Sequence, residues 1–145
     1  MLHFNQEVMY DMQQLLFEAS WEKALAPNDR QNIERIFHET KSLNHSAHYC
    51  APIREAINHK EALLVTVLVH NFMDYPLIFE NTRLLYRIQG KTIAEEIFNL
   101  PALTIPPKAS MPWTFIFPKG SYKQELTYKY GELEILNSER ADLFY

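Results

Sequence analysis

Three histidines lie close to the single cysteine of the chain: His38, His45 and His48 precede Cys50 in one largely polar stretch. Imidazole and thiolate are ligands that zinc prefers in proteins, so a zinc site is the first chemistry that these residues could support. Zinc sites usually pair their ligands at short spacings, and only His45 and His48 have such a spacing, without a second pair. We therefore predict a polar loop with exposed imidazoles, and no metal site.

Cys50 could also serve as a nucleophile, with a nearby histidine as its base. A reactive thiolate needs an electropositive, partly exposed setting, such as the start of a helix. Cys50 falls instead in a predicted strand beside Pro52, which favours a buried or half-buried structural cysteine. Glu95 and Glu96 are adjacent carboxylates, but neighbouring residues of a strand point to opposite faces of the sheet and cannot converge on one substrate.

The sequence contains no other recognisable catalytic motif. The three glycines, Gly90, Gly120 and Gly131, belong to no phosphate-binding loop, and no serine lies in a nucleophile-elbow sequence. These patterns predict a protein with no catalytic residues and no cofactor.

Composition narrows the class of partner. The net charge is −4 and the basic residues are scattered, whereas nucleic-acid binding usually requires a basic stripe, so we expect no nucleic-acid partner. No apolar run approaches the roughly 20 residues of a membrane-spanning helix. The first residues lack the basic and apolar regions of a signal peptide, and a lone cysteine fits a reducing compartment. We expect a cytoplasmic protein without a membrane span.

The front of the chain is predicted to be helical, with two interpretations of one stretch. Apolar residues recur at helical spacing between Glu7 and Leu25, which predicts a helix over this range. Leu15, Phe17 and Ala19 also alternate as in a strand. The second interpretation is therefore a short helix followed by an edge strand over Gln13–Ser20.

Two helix starts are predicted from capping residues. Ser20 can cap a short helix over Trp21–Leu25, and Asn28 or Asp29 can cap a longer helix that runs to about Thr40. The apolar side of the longer helix consists of Ile33, Ile36 and Phe37.

From His48 onwards the apolar residues follow the period of two that is typical of strands. The predicted strand Tyr49–Asn58 contains Pro52, so it should lie at a sheet edge or carry a bulge. Further strands or short apolar segments are predicted at Ala62–Phe72, Leu77–Phe79, Thr82–Ile88, Thr92–Leu100, Met111–Phe117 and Thr127–Leu136.

Six or seven short strands, with turn signals about every 8–12 residues, predict an all-β sandwich or barrel. The proline-rich stretch Pro101–Ser110 is what a crossover between two sheets would need. We predict one mainly β domain over residues 1–145. A helical front segment (1–46) precedes an immunoglobulin-like antiparallel β-sandwich (47–136).

An aromatic segment is the most distinctive feature of the sequence. Pro112 and Pro118 bracket a strand in which Trp113, Phe115 and Phe117 fall on one face, and we predict that this stripe is mainly core. The opposite face of the same strand carries Thr114 and Ile116.

With its ordered neighbours, this segment resembles the S-layer assembly protein (SLAP) domain of Bacillus-type Gram-positive bacteria. The resemblance covers roughly Leu15–Tyr122. It rests on an apolar strand that ends in Asn71, and then on Tyr75–Phe79, Leu84–Ala94, Phe98-x-Leu100, Ile105–Pro107 and Pro112–Pro118. The upstream Trp21–Lys23 and Ile33–Phe37 also look similar.

The resemblance implies a link to an accessory Sec system that exports S-layer proteins. We accordingly expect a non-enzymatic protein-interaction module whose partner is secretion machinery or an exported client. Self-association into a homo-oligomer is a further expectation, and a regulatory binder such as an intracellular proteinase inhibitor is the alternative function. The expected partner-binding residues are Val8, Met9 and Met12, on the predicted front helix.

Overall fold

The computed structural model describes residues 12–124 and 131–136. Strands make up 46% and helices 17% of the structure, so the chain is mainly β, as predicted. The helices are α1 (Ala19–Ala24) and α2 (Pro27–Thr40). The strands are β1 (Gln14–Leu15), β2 (His48–Ile57), β3 (Leu63–Asn71), β4 (Leu77–Ile78), β5 (Thr82–Ile88), β6 (Lys91–Phe98), β7 (Thr104–Ile105), β8 (Ala109–Phe117) and β9 (Gly131–Ile135).

These strands form three sheets. The four-stranded sheet has the order β1-β8-β3-β2, the three-stranded sheet has the order β6-β5-β9, and β4 pairs with β7. All pairs are antiparallel except that of β1 with β8. The mainly β prediction is thus confirmed, whereas an immunoglobulin-like sandwich is not, because the described strands belong to three curled sheets.

Strand β3 is the centre of the four-stranded sheet, and its alternation decides which residues form the core. It pairs with β8 from Leu63↔Phe117 to Asn71↔Ala109, and with β2 on its other side. Its odd-numbered apolar residues join the main core with Phe115, on what we call the core face of the sheet. The even-numbered residues of β3 lie on the opposite, outer face. The main core also contains residues of the two-stranded sheet, and these residues of the three-stranded sheet: Leu84, Tyr86, Ile88, Ile93, Ala94, Phe98, Leu133 and Ile135.

Helix α2 covers part of the outer face. Its buried side chains Ile33, Ile36 and Phe37 form a second apolar cluster with Ala51 and Leu68 of the sheet, as the helical spacing predicted. The predicted cap at Asn28 or Asp29 is wrong, because the helix already begins at Pro27. Proline is favoured in the first turn, where its missing N–H would have no partner anyway.

The start of the described chain corrects the predicted long helix. Residues 7–11 lie outside the described residues, but none of residues 12–18 is helical, and 14–15 form a strand. Gln14 N donates to Lys108 O (3.0 Å) and Leu16 N donates to Ser110 O (2.9 Å), so strand pairing prevails over the helical spacing. The second interpretation, an edge strand in this region, is confirmed for β1. The helical part of the front segment is correspondingly small.

The short helix α1 is also displaced from its prediction. It spans Ala19–Ala24, and its N-cap is Glu18, whose carboxylate accepts from Ser20 N (3.0 Å). Ser20 is therefore the donor in this cap and not the capping residue.

Strand β2 confirms the expectation raised by its proline. It is the last strand of its sheet, and its register with β3 shifts between Pro52 and Arg54. A proline without an N–H is tolerated at a bulged edge, where the ladder is interrupted.

Candidate protein-binding surface

The structure separates the residues that could have formed a metal or thiol site. Cys50 is buried on the core face, and burial raises the pKa of its thiol to about 12, so the thiol is not ionised near neutral pH. The prediction of a structural cysteine is confirmed. His38 and His45 are exposed, and His48 is half-buried. In the described parts of the chain no group of three or more His, Cys, Asp or Glu side chains could hold a metal ion, and the absence of metal stays a prediction.

A buried histidine that the sequence analysis did not single out links four elements. His70 and Ser110 are both fully buried, with His70 Nδ1 2.6 Å from Ser110 Oγ. His70 Nε2 lies 2.7 Å from Thr40 Oγ1, at the end of α2. Gln13 Nε2, beside β1, donates to Ser110 Oγ (3.2 Å) and to Asn71 O (2.8 Å). The network therefore joins α2, β3, β8 and the segment before β1.

The donors in this network can be assigned. Thr40 Oγ1 donates to Ile36 O (2.7 Å), so its oxygen accepts from His70, which then carries its proton on Nε2. The Ser110 hydroxyl donates to the remaining ring nitrogen. Burial lowers the pKa of His70 to about 4, and a neutral ring satisfies every partner. A serine beside a histidine resembles a catalytic pair, but this one is fully enclosed and serves to hold the fold together.

Asn71 organises the turn that follows β3. Its Nδ2 lies within 2.9–3.1 Å of the carbonyl oxygens of Tyr75, Ile105 and Pro106, and its Oδ1 accepts from Met73 N (2.9 Å). One buried amide thus fixes both the turn and the proline-rich connection. This is the physical role of the asparagine that ends the apolar strand.

A carboxylate enters the core region from β2. Glu55 Oε2 accepts from the Tyr86 hydroxyl, and Tyr86 packs directly against Gly131 of β9, where a side chain would overlap the ring. Glu55 Oε1 is buried without a hydrogen-bond partner among the described residues, and burial raises the pKa of this carboxyl. The contact ties the edge of the four-stranded sheet to the three-stranded sheet.

The aromatic stripe of Trp113, Phe115 and Phe117 is mainly core, as predicted. Phe115 and Phe117 are completely buried, and Trp113 is half-buried against the main core. Phe98 makes edge-to-face contacts with both phenylalanines, at centroid distances of 5.4 Å. Glu95 is exposed and pairs with Arg83 (3.1 Å), which fits a solvated carboxylate.

The outer face of the sheet is covered only in part. Beyond the helices, Ala56, Leu64 and Ile116 form a row across β2, β3 and β8, and Thr114 precedes Ile116 by two residues on the same face of β8. We call these four residues the open outer face. Ile116 is 52% exposed. A shallow pocket of about 230 Å³ adjoins this surface, lined in part by Trp21, Leu25, Ile33, Ile53, Arg54 and Thr66. Alternation placed Ile116 opposite the core stripe, but whether another element covered it could not be read from the sequence.

Two of the three predicted partner-binding residues lie outside the described part of the chain. Val8 and Met9 lie outside the described residues, and Met12, the first described residue, is 50% exposed. Their role in binding stays a prediction. None of the described helices has the length and apolar character needed to cross a membrane.

Comparison with known proteins identifies a family. The family model for the SLAP domain, named Sec_acc_SLAP, matches residues 15–133. No curated protein and no solved structure matches the chain. The matched range includes both helices, the aromatic stripe, and Thr40, His70 and Ser110 of the network.

Proposed function

The chain belongs to the SLAP domain family, and from this membership we propose that it is a non-enzymatic protein-interaction module accessory to Sec-dependent protein export. In this proposal it acts in the cytoplasm and contacts either the secretion machinery or a client on its way to export. S-layer proteins are the clients that the resemblance implies. The name of the family model supports the accessory Sec role.

The observation that carries the proposal is the open outer face. Apolar side chains on a sheet are usually covered, and an uncovered group beside a pocket is typical of an interaction surface. A polypeptide held for export before it has folded exposes apolar segments of its own, which such a surface can contact. The buried Cys50 and the enclosed His70–Ser110 pair lend no support to a catalytic alternative.

Site-specific photocross-linking in cells that express the chain tests this function. A photoreactive residue at Ile116 reports on the open outer face, and the same residue at Ile97 is a matched control. Both isoleucines are 52% exposed, but Ile97 lies on β6 of the other large sheet. We expect translocation components or precursors of exported proteins to be cross-linked from Ile116 and only background from Ile97.

Two results would contradict the proposal. One is equal labelling from the two positions, or labelling only of proteins unrelated to export. The other is an unchanged set of secreted proteins in cells from which the chain has been deleted.

A further inference from the structure

In the part of the chain that the structure describes, one edge of the four-stranded sheet has no strand partner along most of β8. Strand β1 pairs with β8 only at Gln14↔Ala109 and Leu15↔Ser110. Its last bond to this edge is Leu16 N to Ser110 O (2.9 Å), after which the chain leaves for α1. No other described strand pairs with β8 on this side. Among the described residues, the stretch from Trp113 to Phe117 therefore has a strand neighbour on one side only, namely β3.

The direction of the backbone groups follows from the bonds that β1 makes. The carbonyls of Lys108 and Ser110 face β1, so every second residue after them, including Thr114 and Ile116, directs its N–H and C=O to the same side. The intervening residues, such as Phe115, bond to β3. Pro112 is on the same side of β8 but is buried, and it has no N–H. The open edge thus presents the donors and acceptors of Thr114 and Ile116.

The side chains beside this edge are apolar on both faces of the sheet. Ile116 is exposed on the outer face, and Trp113 is half-buried on the core face. A strand added here would place alternate side chains next to each of them. Prolines at Pro112 and Pro118 bracket the stretch, which has room for a strand of about five or six residues.

We propose that this open edge of β8 binds an extended peptide segment of a client protein by adding it to the sheet as a strand. The inference rests on the proposed function and specifies how the partner is held. The edge already accepts a strand in β1, and the added segment would continue along the same edge. Backbone bonds supply affinity that does not depend on a particular sequence, which suits a module that handles varied clients.

A short peptide fits this edge better than a second folded copy does. A copy would have to bring β1 and α1 beside a stretch of only a few residues, because those elements flank its own open edge. An extended segment carries no such bulk. We therefore expect the peptide and not a dimer to occupy the edge.

The probe for the experiment is a fluorescein-labelled hexapeptide of alternating valine and threonine, with blocked ends. Hydrogen exchange followed by NMR on the full chain is the primary measurement. At saturating peptide we expect the amides of Thr114 and Ile116 to exchange more slowly, and those of Trp113 and Phe115, already bonded to β3, to stay unchanged. Peptide binding without protection of Thr114 and Ile116, or no peptide binding at all, would overturn the inference.

A pair of variants separates the backbone from the side chain. Ile116→Pro removes the N–H on the open side, and we expect it to weaken peptide binding about tenfold, the effect of losing one good hydrogen bond. Ile116→Thr keeps that N–H and loses only the apolar side chain, so it should weaken peptide binding less than Ile116→Pro does. Equal binding by both variants contradicts strand addition. If Ile116→Pro fails to fold, the exchange measurement on the unmodified chain decides alone.

Two further outcomes distinguish the inference from its premise. If the amide of Ile116 is protected without peptide and light scattering gives a doubled mass, a second copy of the chain occupies the edge. That result would overturn the inference that a peptide binds there. If export proteins are cross-linked from Ile116 but the peptide does not protect its amide, the proposed function stands. Only the inference of peptide binding at the edge is then contradicted. If the peptide protects the amide of Ile116 but no export protein is cross-linked, peptide binding at the edge stands and the proposed function is contradicted.

Discussion

The two faces of the four-stranded sheet are built from the same alternating strands but are used differently. On the core face, side chains of β3 and β8 pack against the three-stranded sheet in one apolar cluster. On the outer face, helix α2 covers one half through a smaller cluster, and the other half around Ile116 is open. Alternation therefore specifies which residues share a face, whereas the covering element decides whether that face stabilises the fold or remains available for a partner.

The buried polar groups of the two faces differ in how completely they are hydrogen-bonded. His70, on the outer face, has a partner for each ring nitrogen, and the network continues to the backbone of α2. Glu55, which meets Tyr86 of the core, has one buried oxygen without a partner among the described residues. A satisfied buried network adds to stability, while an unpaired buried oxygen costs free energy.

The largest expected effect contrasts two neighbouring residues of β8. Phe115→Ala should lower the free energy of unfolding by about 3–5 kcal/mol, because it leaves a cavity in the main core. Ile116→Ala, on the open outer face, should change it by no more than about 0.5 kcal/mol. Chemical denaturation of both variants measures the contrast. Similar losses for the two would show that Ile116 is covered and that the faces are alike.

The second effect is a loss of stability in acid that comes from His70. Its pKa is about 4 in the folded chain, below the ordinary value of 6.5, so the unfolded chain binds the proton more readily. Stability is then fully present above pH 6.5 and falls as the pH decreases towards 4, by about 3 kcal/mol in total. Denaturation at several pH values measures this loss.

His70→Gln is the control for the acid effect. Whatever its absolute stability, this variant cannot titrate at position 70, so its profile between pH 6.5 and 4 should be flatter than that of the unmodified chain. Parallel profiles would show that another group causes the loss.

The third effect tests the contact between β9 and the core. Gly131→Ala places a methyl group where the Tyr86 ring lies, and we expect a loss of about 1–3 kcal/mol from overpacking. In a Tyr86→Leu background the added methyl group has more room, so the same change should cost less. A double-mutant cycle measures this coupling. If the stability losses of the two substitutions are additive, the added methyl group does not act through the Tyr86 ring.

The smallest expected effect on stability concerns the first residues. Deleting Met1–Tyr10, which includes Val8 and Met9, should leave the thermal melt unchanged and should abolish self-association or partner docking. Light scattering and a melting curve provide the two readings. A collapsed melt would mean that this segment belongs to the core of the fold.

Much of the sheet structure was determined by sequence alone. Strict alternation identified β3 and the aromatic stripe, since one buried face imposes a period of two. Pro52 predicted that its strand lies at a sheet edge or carries a bulge, because it has no N–H to donate, and β2 does both. The ordered motifs also identified the family, which the match over residues 15–133 confirms.

Other features depend on contacts between distant parts of the chain. Gln13 and Ser110 are 97 residues apart, and no local pattern could show that they meet beside His70. The same is true of β1, whose residues have helical spacing but are extended because an unpaired edge of β8 lies next to them. Local periodicity records only which side chains share a face, and pairing between strands depends on the free backbone groups of a distant segment. Only the tertiary structure could therefore decide that no described strand pairs with the edge at Thr114 and Ile116.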